Sequence, residues 1–293
     1  LLTTSFALIY VGSLYVSKHG RLSFVAKAVP PQRDGEERRR HESERWRDDL
    51  DVIRARLIAV TFASLVSCTM VFGALWHAIG PEVNTIEVTL RTALVRLGFS
   101  LPAFTLDALL PHLITPLLFL GPLYALYLDF SSPLSTTGSF KESRAANRLR
   151  SATGMNGTQA PITEEIVFRA CVLAVHNLSG ASRAKMIMLA PLSFGVAHAH
   201  HAWDTFNRYG RTPAAAKRAL LMTLFQLSYT TLFGSFASYL FLRTGSILPP
   251  MTAHIFCNVM GIPQLGYEVS KFPQQRRFIY LAYMTGILGF VMK

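Results

Sequence analysis

The sequence predicts an all-α fold: a polytopic integral membrane bundle of about eight transmembrane or partly embedded helices. Three observations carry this. Hydrophobic residues make up 51% of the 293 positions and charged residues only 16%, where a soluble domain carries about 25% charged. The apolar residues are gathered into runs that approach the roughly 20 residues a helix needs to span a bilayer. The few ionisable residues close to those runs are costly to keep there, which marks them as functional candidates.

The elements follow in order. Leu1–Val16 is apolar and is followed by Lys18 and Arg21. It has no small-residue cleavage site, so a first transmembrane helix is expected rather than a signal-peptide core. The chain begins at Leu1, so a missing N-terminal piece is expected. A charged insert over 17–56 contains Glu36, Glu37, Arg38, Arg39, Arg40, Trp46, Arg47, Asp48 and Asp49. Its mixed charges at helical spacing predict a solvated helix with i,i+4 pairs. Leu57–Ile79 and Leu106–Leu128 are the next spans. Between them Val88–Phe99 is amphipathic, with Arg91 and Arg96 among leucines. It is expected in the membrane interface or in a re-entrant turn. A second polar insert over 131–160, rich in Ser, Thr and Gly, reads as a loop. Ile162–Leu178, Met186–His200, Leu220–Leu242, Leu248–Ile262 and Phe278–Val291 complete the spans. The whole chain, 1–293, is read as one membrane domain whose motif-bearing core is 161–263.

The net charge is +12. Its basic residues cluster between apolar runs, as the positive-inside bias predicts, and no basic-aromatic nucleic-acid motif is present. Both inserts are therefore assigned to the cytosol. Two crossings then separate them, and the helix after the second insert enters from the cytosolic side. The three cysteines, Cys68, Cys171 and Cys257, lie in apolar segments without CxxC spacing, so buried free thiols are expected.

Three segments carry the residues that do chemistry. Pro161 and Thr163 read as helix-start residues, with Thr163 a candidate N-cap, which puts Glu164 and Glu165 in the first turn. Macrodipole complementation would account for one such glutamate, but it accounts poorly for a pair ahead of an apolar run containing Arg169. Glu165 and Arg169 are four apart in the favourable orientation for pairing. Glu164 points about 100° away around the helix and is left for a water. Phe194 and His198 share one helical face. His198 reads either as a partner for an attacking water, with Phe194 excluding solvent, or as one of a helix-end cluster with His200 and His201. His254 and Asn258, four apart, can both donate toward an oxyanion, or form a buried structural pair. Together these residues make a peptide-hydrolysis set in a cavity at membrane depth: a glutamate base, a histidine beside the water, and His/Asn donors. Cys257 beside His254 suits a nucleophile poorly, since an apolar setting disfavours a thiolate. A zinc site from Glu165, His198 and His254 is stoichiometrically possible, but H-E-x-x-H is absent.

The ordered motifs E-E-x-x-x-R (Glu164, Glu165, Arg169), F-x-x-x-H (Phe194, His198) and H-x-x-x-N (His254, Asn258) resemble the type II CAAX prenyl endopeptidases. The resemblance covers roughly Pro161–Pro263. The segment Gln226–Gly234, Thr244-Gly245 and the insert end Val52–Arg56 are similar to the eukaryotic branch. The resemblance implies a glutamate-dependent, metal-independent intramembrane protease with no cofactor, acting in the endoplasmic reticulum membrane with its site open to the cytosol. Its implied partners are farnesylated or geranylgeranylated CAAX proteins such as Ras-like GTPases, and membrane lipid. Carried over, Glu164 is the base, His198 helps activate water, and His254 and Asn258 match the oxyanion positions. Glu165 and Arg169 match the supporting pair, and Phe194 the aromatic. Two other readings stand beside it. One is a non-catalytic scaffold or chaperone of the same fold, against which the intact Glu, His, His and Asn set argues. The other is a proton-relay transporter, for which the expected internal repeat is missing.

Overall fold

The computed structural model describes residues 2–25, 36–80, 82–83, 85–100, 105–131 and 155–292. In chain order the first helices are α1 (Leu2–Ser13), α2 (Leu50–Ala78), α3 (Ile86–Arg96), α4 (Leu106–Leu118) and α5 (Leu120–Ser131). Next come α6 (Met155–Glu165), a π-helical segment (Ile166–Cys171) and α7 (Val172–Leu178). They are followed by α8 (Arg183–Met188), α9 (Pro191–Ala197), a 3-10 turn (His198–His200), α10 (His201–Arg208) and α11 (Pro213–Thr244). The last are α12 (Leu248–Met260), α13 (Leu265–Lys271) and α14 (Arg276–Val291). Among the described residues the only β-type pairing is an isolated bridge between Ser23 and Arg45. The protein is an all-α membrane protein.

Among the described residues two helices, α2 and α11, are each long and apolar enough to cross a membrane, and α4 with α5 qualifies as a bent pair. Of the other expected spans, Ile162–Leu178 and Met186–His200 are divided into shorter pieces, while Leu1–Val16, Leu248–Ile262 and Phe278–Val291 each hold one helix, of 12, 13 and 16 residues. The α4–α5 pair bends by 70°, and proline chemistry explains the position. Residue 122 is proline and cannot donate to the carbonyl of Leu118, the last residue of α4, and its ring crowds that carbonyl.

Contacts divide the chain into two compact units. The first joins Leu1–Ser100 to Thr163–Ile247. In it α2 buries Val52, Val60, Ala63, Ser64, Ser67, Val71 and Leu75 at helical spacing. On the other side Ile58, Phe62 and Leu65 remain more than half exposed, the pattern of a helix with lipid on one flank. α11 begins with Thr212, whose side chain accepts from Ala215 N–H, followed by Pro213, and ends at Gly245 with φ +66°. A proline at the first position and a left-handed glycine after the last turn delimit a helix in this way. Its 32 residues extend about 48 Å, longer than a hydrocarbon core of about 30 Å. Gly195 and Gly234 let α9 lie close to α11: a Cβ at 195 would stand 2.5 Å from Thr231 Oγ1, and one at 234 would stand 2.8 Å from Pro191 Cβ.

The charged insert differs from expectation. Residues 36–49 form no helix, and α2 starts only at Leu50. They fold instead as a strap clasped to α10. Arg38 is fully buried and donates to both Glu44 oxygens, at 3.0 and 2.6 Å, and through Nε to the Asn207 carbonyl at 2.8 Å. Trp46 donates to Glu44 at 3.1 Å and is covered by the guanidinium of Arg208 at 4.5 Å. Arg208 also donates to Asp204 at 3.1 Å and to Asp48. The charges that read as a solvated helix face thus pair across the chain, because burial rewards a carboxylate that can accept several N–H donors at once. Burial raises the Glu44 carboxyl, but hydrogen bonds from Arg38, Val25 N–H, His41 N–H and Trp46 outweigh it and hold it at about 2. The segment 26–35 lies outside the described residues.

The second unit joins Leu101–Ile162 to Leu248–Lys293. Here α14 packs on α4 and α5, and α12 on α4. A Cβ at Gly286 would meet the carbonyl of Leu117 at 2.6 Å and that of Leu118 at 3.1 Å, so glycine lets α14 lie against the break. Buried Glu268 accepts from the Tyr283 hydroxyl at 2.7 Å, and Lys271 pairs with Asp129. The expected loop over 131–160 falls mostly outside the described residues, and its end, 155–160, is already helical as the start of α6.

Candidate active site

The glutamate pair does not begin a helix. α6 starts at Met155, so Thr163 is inside it and caps nothing, and Pro161 is an internal proline. Both glutamates therefore sit more than two turns from the N-terminus, beyond the first turn in which a macrodipole acts. Acid at a helix start no longer explains them. From Ile166 the helix widens into the π-helical segment, which contains Arg169. Such widened turns are frequent at functional sites.

Glu165 and Arg169 form the expected pair, with Nε to Oε2 at 3.0 Å and side-chain exposures of 0% and 1%. Two rings flank the guanidinium: Phe194 with its centroid at 4.2 Å and Phe233 at 5.6 Å. A buried charge survives only when paired, and flanking aromatics add cation–π attraction. Glu164 is half-buried.

Phe194 is buried in α9, and His198 follows one turn later, half-buried where α9 ends. The His198 ring meets Phe194 edge-on at 4.7 Å. Its Nδ1 lies 2.8 Å from the Phe194 carbonyl. A carbonyl only accepts, so Nδ1–H donates and Nε2 of the neutral ring keeps its lone pair. His200 makes the same kind of bond to Ala197 O at 2.7 Å. The His200 ring stands 4.1 Å from that of His201, and His201 stands 5.7 Å from His198. The rings of the three histidines thus lie close together where α9 ends. His198 also meets Phe194.

The first unit therefore joins Glu165, Arg169, Phe194 and His198 through successive contacts, with Glu164 next to Glu165 in the chain. His254 and Asn258 belong to the second unit, both on α12, with His254 buried and Asn258 exposed. α12 is tied to α4 by a 2.7 Å bond between His112 Nδ1 and the Thr252 hydroxyl. Among the described residues no group of three or more His, Cys, Asp or Glu is arranged to hold a metal ion. None of the three cysteines is in a disulfide, and Cys68 and Cys171 lie with their sulfurs 3.8 Å apart.

Sequence reasoning missed Phe233, Phe168 and Tyr10. Phe233 lies 64 positions after Arg169, and Tyr10 reaches Thr163 across 153 positions. Neither sits at a local spacing that could have signalled the contact.

The family profile described as Type II CAAX prenyl endopeptidase Rce1-like matches residues 149–260. The chain is 33% identical over 246 residues to the probable CAAX prenyl protease 2 of Schizosaccharomyces pombe, covering 84% of this chain and 81% of that protein. It is 34% identical over 295 residues to CAAX prenyl protease 2 of Homo sapiens, covering 98% of this chain and 77% of that protein. It is 42% identical over 135 residues to the Caenorhabditis elegans protein of the same name, covering 45% and 48%. No solved structure matches. An all-α membrane chain with these ordered motifs and relatives of this extent belongs to the type II CAAX prenyl endopeptidase family.

Proposed function

We propose that this protein is an intramembrane endopeptidase that removes the C-terminal aaX tripeptide from prenylated CAAX proteins. The observation that carries the reading is the division of labour in the glutamate pair. Glu165 is held by Arg169 in a fully buried ion pair, while Glu164 is half-buried. Glu164 is therefore the base. It takes one proton from a water that His198 Nε2 holds as an acceptor. The resulting hydroxide adds to the carbonyl carbon of the prenylated cysteine. His254 and Asn258 donate to the oxyanion, the peptide C–N bond breaks, and Glu164 returns the proton to the departing tripeptide amine.

The zinc alternative asks Glu165 to leave Arg169, and breaking a buried pair costs about 3–5 kcal/mol. That cost favours the metal-independent reaction. The substrates are farnesylated or geranylgeranylated CAAX proteins such as Ras-like GTPases. Their prenyl chains dissolve in lipid and their C-termini come from water. The basic inserts favour an active site open to the cytosol, in the endoplasmic reticulum membrane.

The test is tripeptide release from a farnesylated CAAX peptide by purified protein. Glu164→Ala, His198→Ala and His254→Ala are each expected to abolish release while the protein still inserts. Full activity in Glu164→Ala would sink the mechanism. Activity is expected to persist under strong chelation, and its loss, restored by zinc, would return the metal reading.

A further inference from the structure

Thr163, the residue immediately before Glu164, is held from two neighbouring helices. Its Oγ1 shares a 2.9 Å hydrogen bond with the Tyr10 hydroxyl of α1. The single hydroxyl proton of Ser64 on α2 goes mainly to the Val60 carbonyl at 2.8 Å, with the Thr163 carbonyl as a weaker second acceptor at 3.4 Å. Tyr10, Ser64 and Thr163 are all buried. A buried tyrosine hydroxyl needs a polar partner.

The Tyr10 ring continues the contact into the site. It meets Phe168 edge-on at 5.4 Å, Phe168 lies 5.2 Å from Phe194, and Phe194 lies 4.7 Å from His198. One face of Tyr10 therefore supports the aromatic row that carries His198, while its hydroxyl holds the turn that presents Glu164.

We propose that Tyr10 is a positioning residue for the reaction, setting through Thr163 the rotation of the helix that presents Glu164, and through Phe168 and Phe194 the place of His198. The role rests on the reading of Glu164 as base and His198 as water-holding partner. Proton transfer depends on heavy atoms held within about 3 Å of each other. A small rotation of α6 therefore acts on turnover, whereas prenyl and peptide binding elsewhere on the protein is left alone.

The test compares the purified full chain with Tyr10→Phe, Thr163→Val and the double variant, using a farnesylated CAAX peptide. Tyr10→Phe keeps the ring and removes only the hydroxyl. Each single variant is expected to lose about tenfold in kcat, the equivalent of one buried hydrogen bond, with KM within about twofold. The double variant is expected to lose no more than either single, since both remove the same bond. Thr163→Ser, which retains the hydroxyl, is expected to keep near wild-type kcat. If Tyr10→Phe fails to fold, Thr163→Val against Thr163→Ser makes the same comparison. Unchanged kcat in Tyr10→Phe or Thr163→Val, or losses that multiply in the double variant, would overturn the role while wild-type tripeptide release leaves the proposed reaction standing. A wild type with no release would overturn the reaction, and this role with it.

Discussion

The Glu165–Arg169 pair offers the sharpest test of how the site is held. Replacing Arg169 with methionine keeps a long flexible side chain between Phe194 and Phe233 and removes the charge. Both members of the pair are essentially unexposed and 3.0 Å apart. The substitution therefore leaves a carboxylate buried without its cation, a change that costs about 3–5 kcal/mol. The cation–π contact with Phe194 at 4.2 Å is also lost, worth up to about 2 kcal/mol when desolvated. Favourable sulfur–aromatic contacts, about 1 kcal/mol, offset part of this. The expected net loss is about 4 kcal/mol, a large share of the roughly 5–15 kcal/mol that stabilises a typical domain.

The double variant Glu165→Leu, Arg169→Met removes both charges, and replacing a buried pair by apolar groups is often close to neutral. It is therefore expected to recover most of the loss, so the two sites couple strongly and with opposite sign to their single effects. The assay is equilibrium unfolding of detergent-solubilised protein, followed by the fluorescence of its three tryptophans. A loss below about 1 kcal/mol in Arg169→Met, or a double variant less stable than the single, would refute the account of the pair as a fully desolvated unit.

Three further outcomes are expected. Gly195→Ala puts a Cβ 2.5 Å from Thr231 Oγ1 and 3.2 Å from the Leu227 carbonyl. It should destabilise by about 1–3 kcal/mol and lower turnover by shifting His198, with Thr231→Ala restoring part of both, as unfolding and peptide-release assays on the paired variants would measure. Glu44, held at about 2 against an ordinary 4.5, contributes stability that is present above pH 4.5 and lost as pH falls through about 2. Glu44→Gln should therefore cost on the order of 3 kcal/mol at neutral pH and flatten the acid limb of a stability–pH curve. Pro122→Ala restores a donor toward the Leu118 carbonyl and should stabilise a straighter α4–α5 pair. Spin labels on the two helices would report that as a longer end-to-end distance, and no change would assign the 70° bend to packing instead.

Much of the membrane class and motif order was legible, because hydrophobic runs and i,i+4 spacings act locally. The Glu165–Arg169 pair and the Phe194–His198 face are contacts of that kind, one turn apart on one chain segment. The helix ends were less legible. Thr163 has the chemistry of a cap, but the chain upstream of Pro161 continues as helix. A proline one or two residues ahead of a cap-type residue cannot reveal whether the preceding turn has formed. The insert misled for a related reason: mixed charges at helical spacing suit a solvated helix, and only the partners Asn207 and Arg208, far along the chain, turn them into a buried strap.

By itself the sequence determined the all-α membrane class, the three motifs in order and the pairing of Glu165 with Arg169. These follow from composition and from neighbours within one helical turn. Tertiary structure alone decided that the glutamate pair lies deep in a helix rather than at its start. It alone brought Phe233 to Arg169, Tyr10 to Thr163, Arg38 to the Asn207 carbonyl and Arg208 over Trp46. Those contacts join segments whose spacing carries no periodic signal, and they form because a buried charge or hydroxyl must find a partner wherever packing brings one within reach.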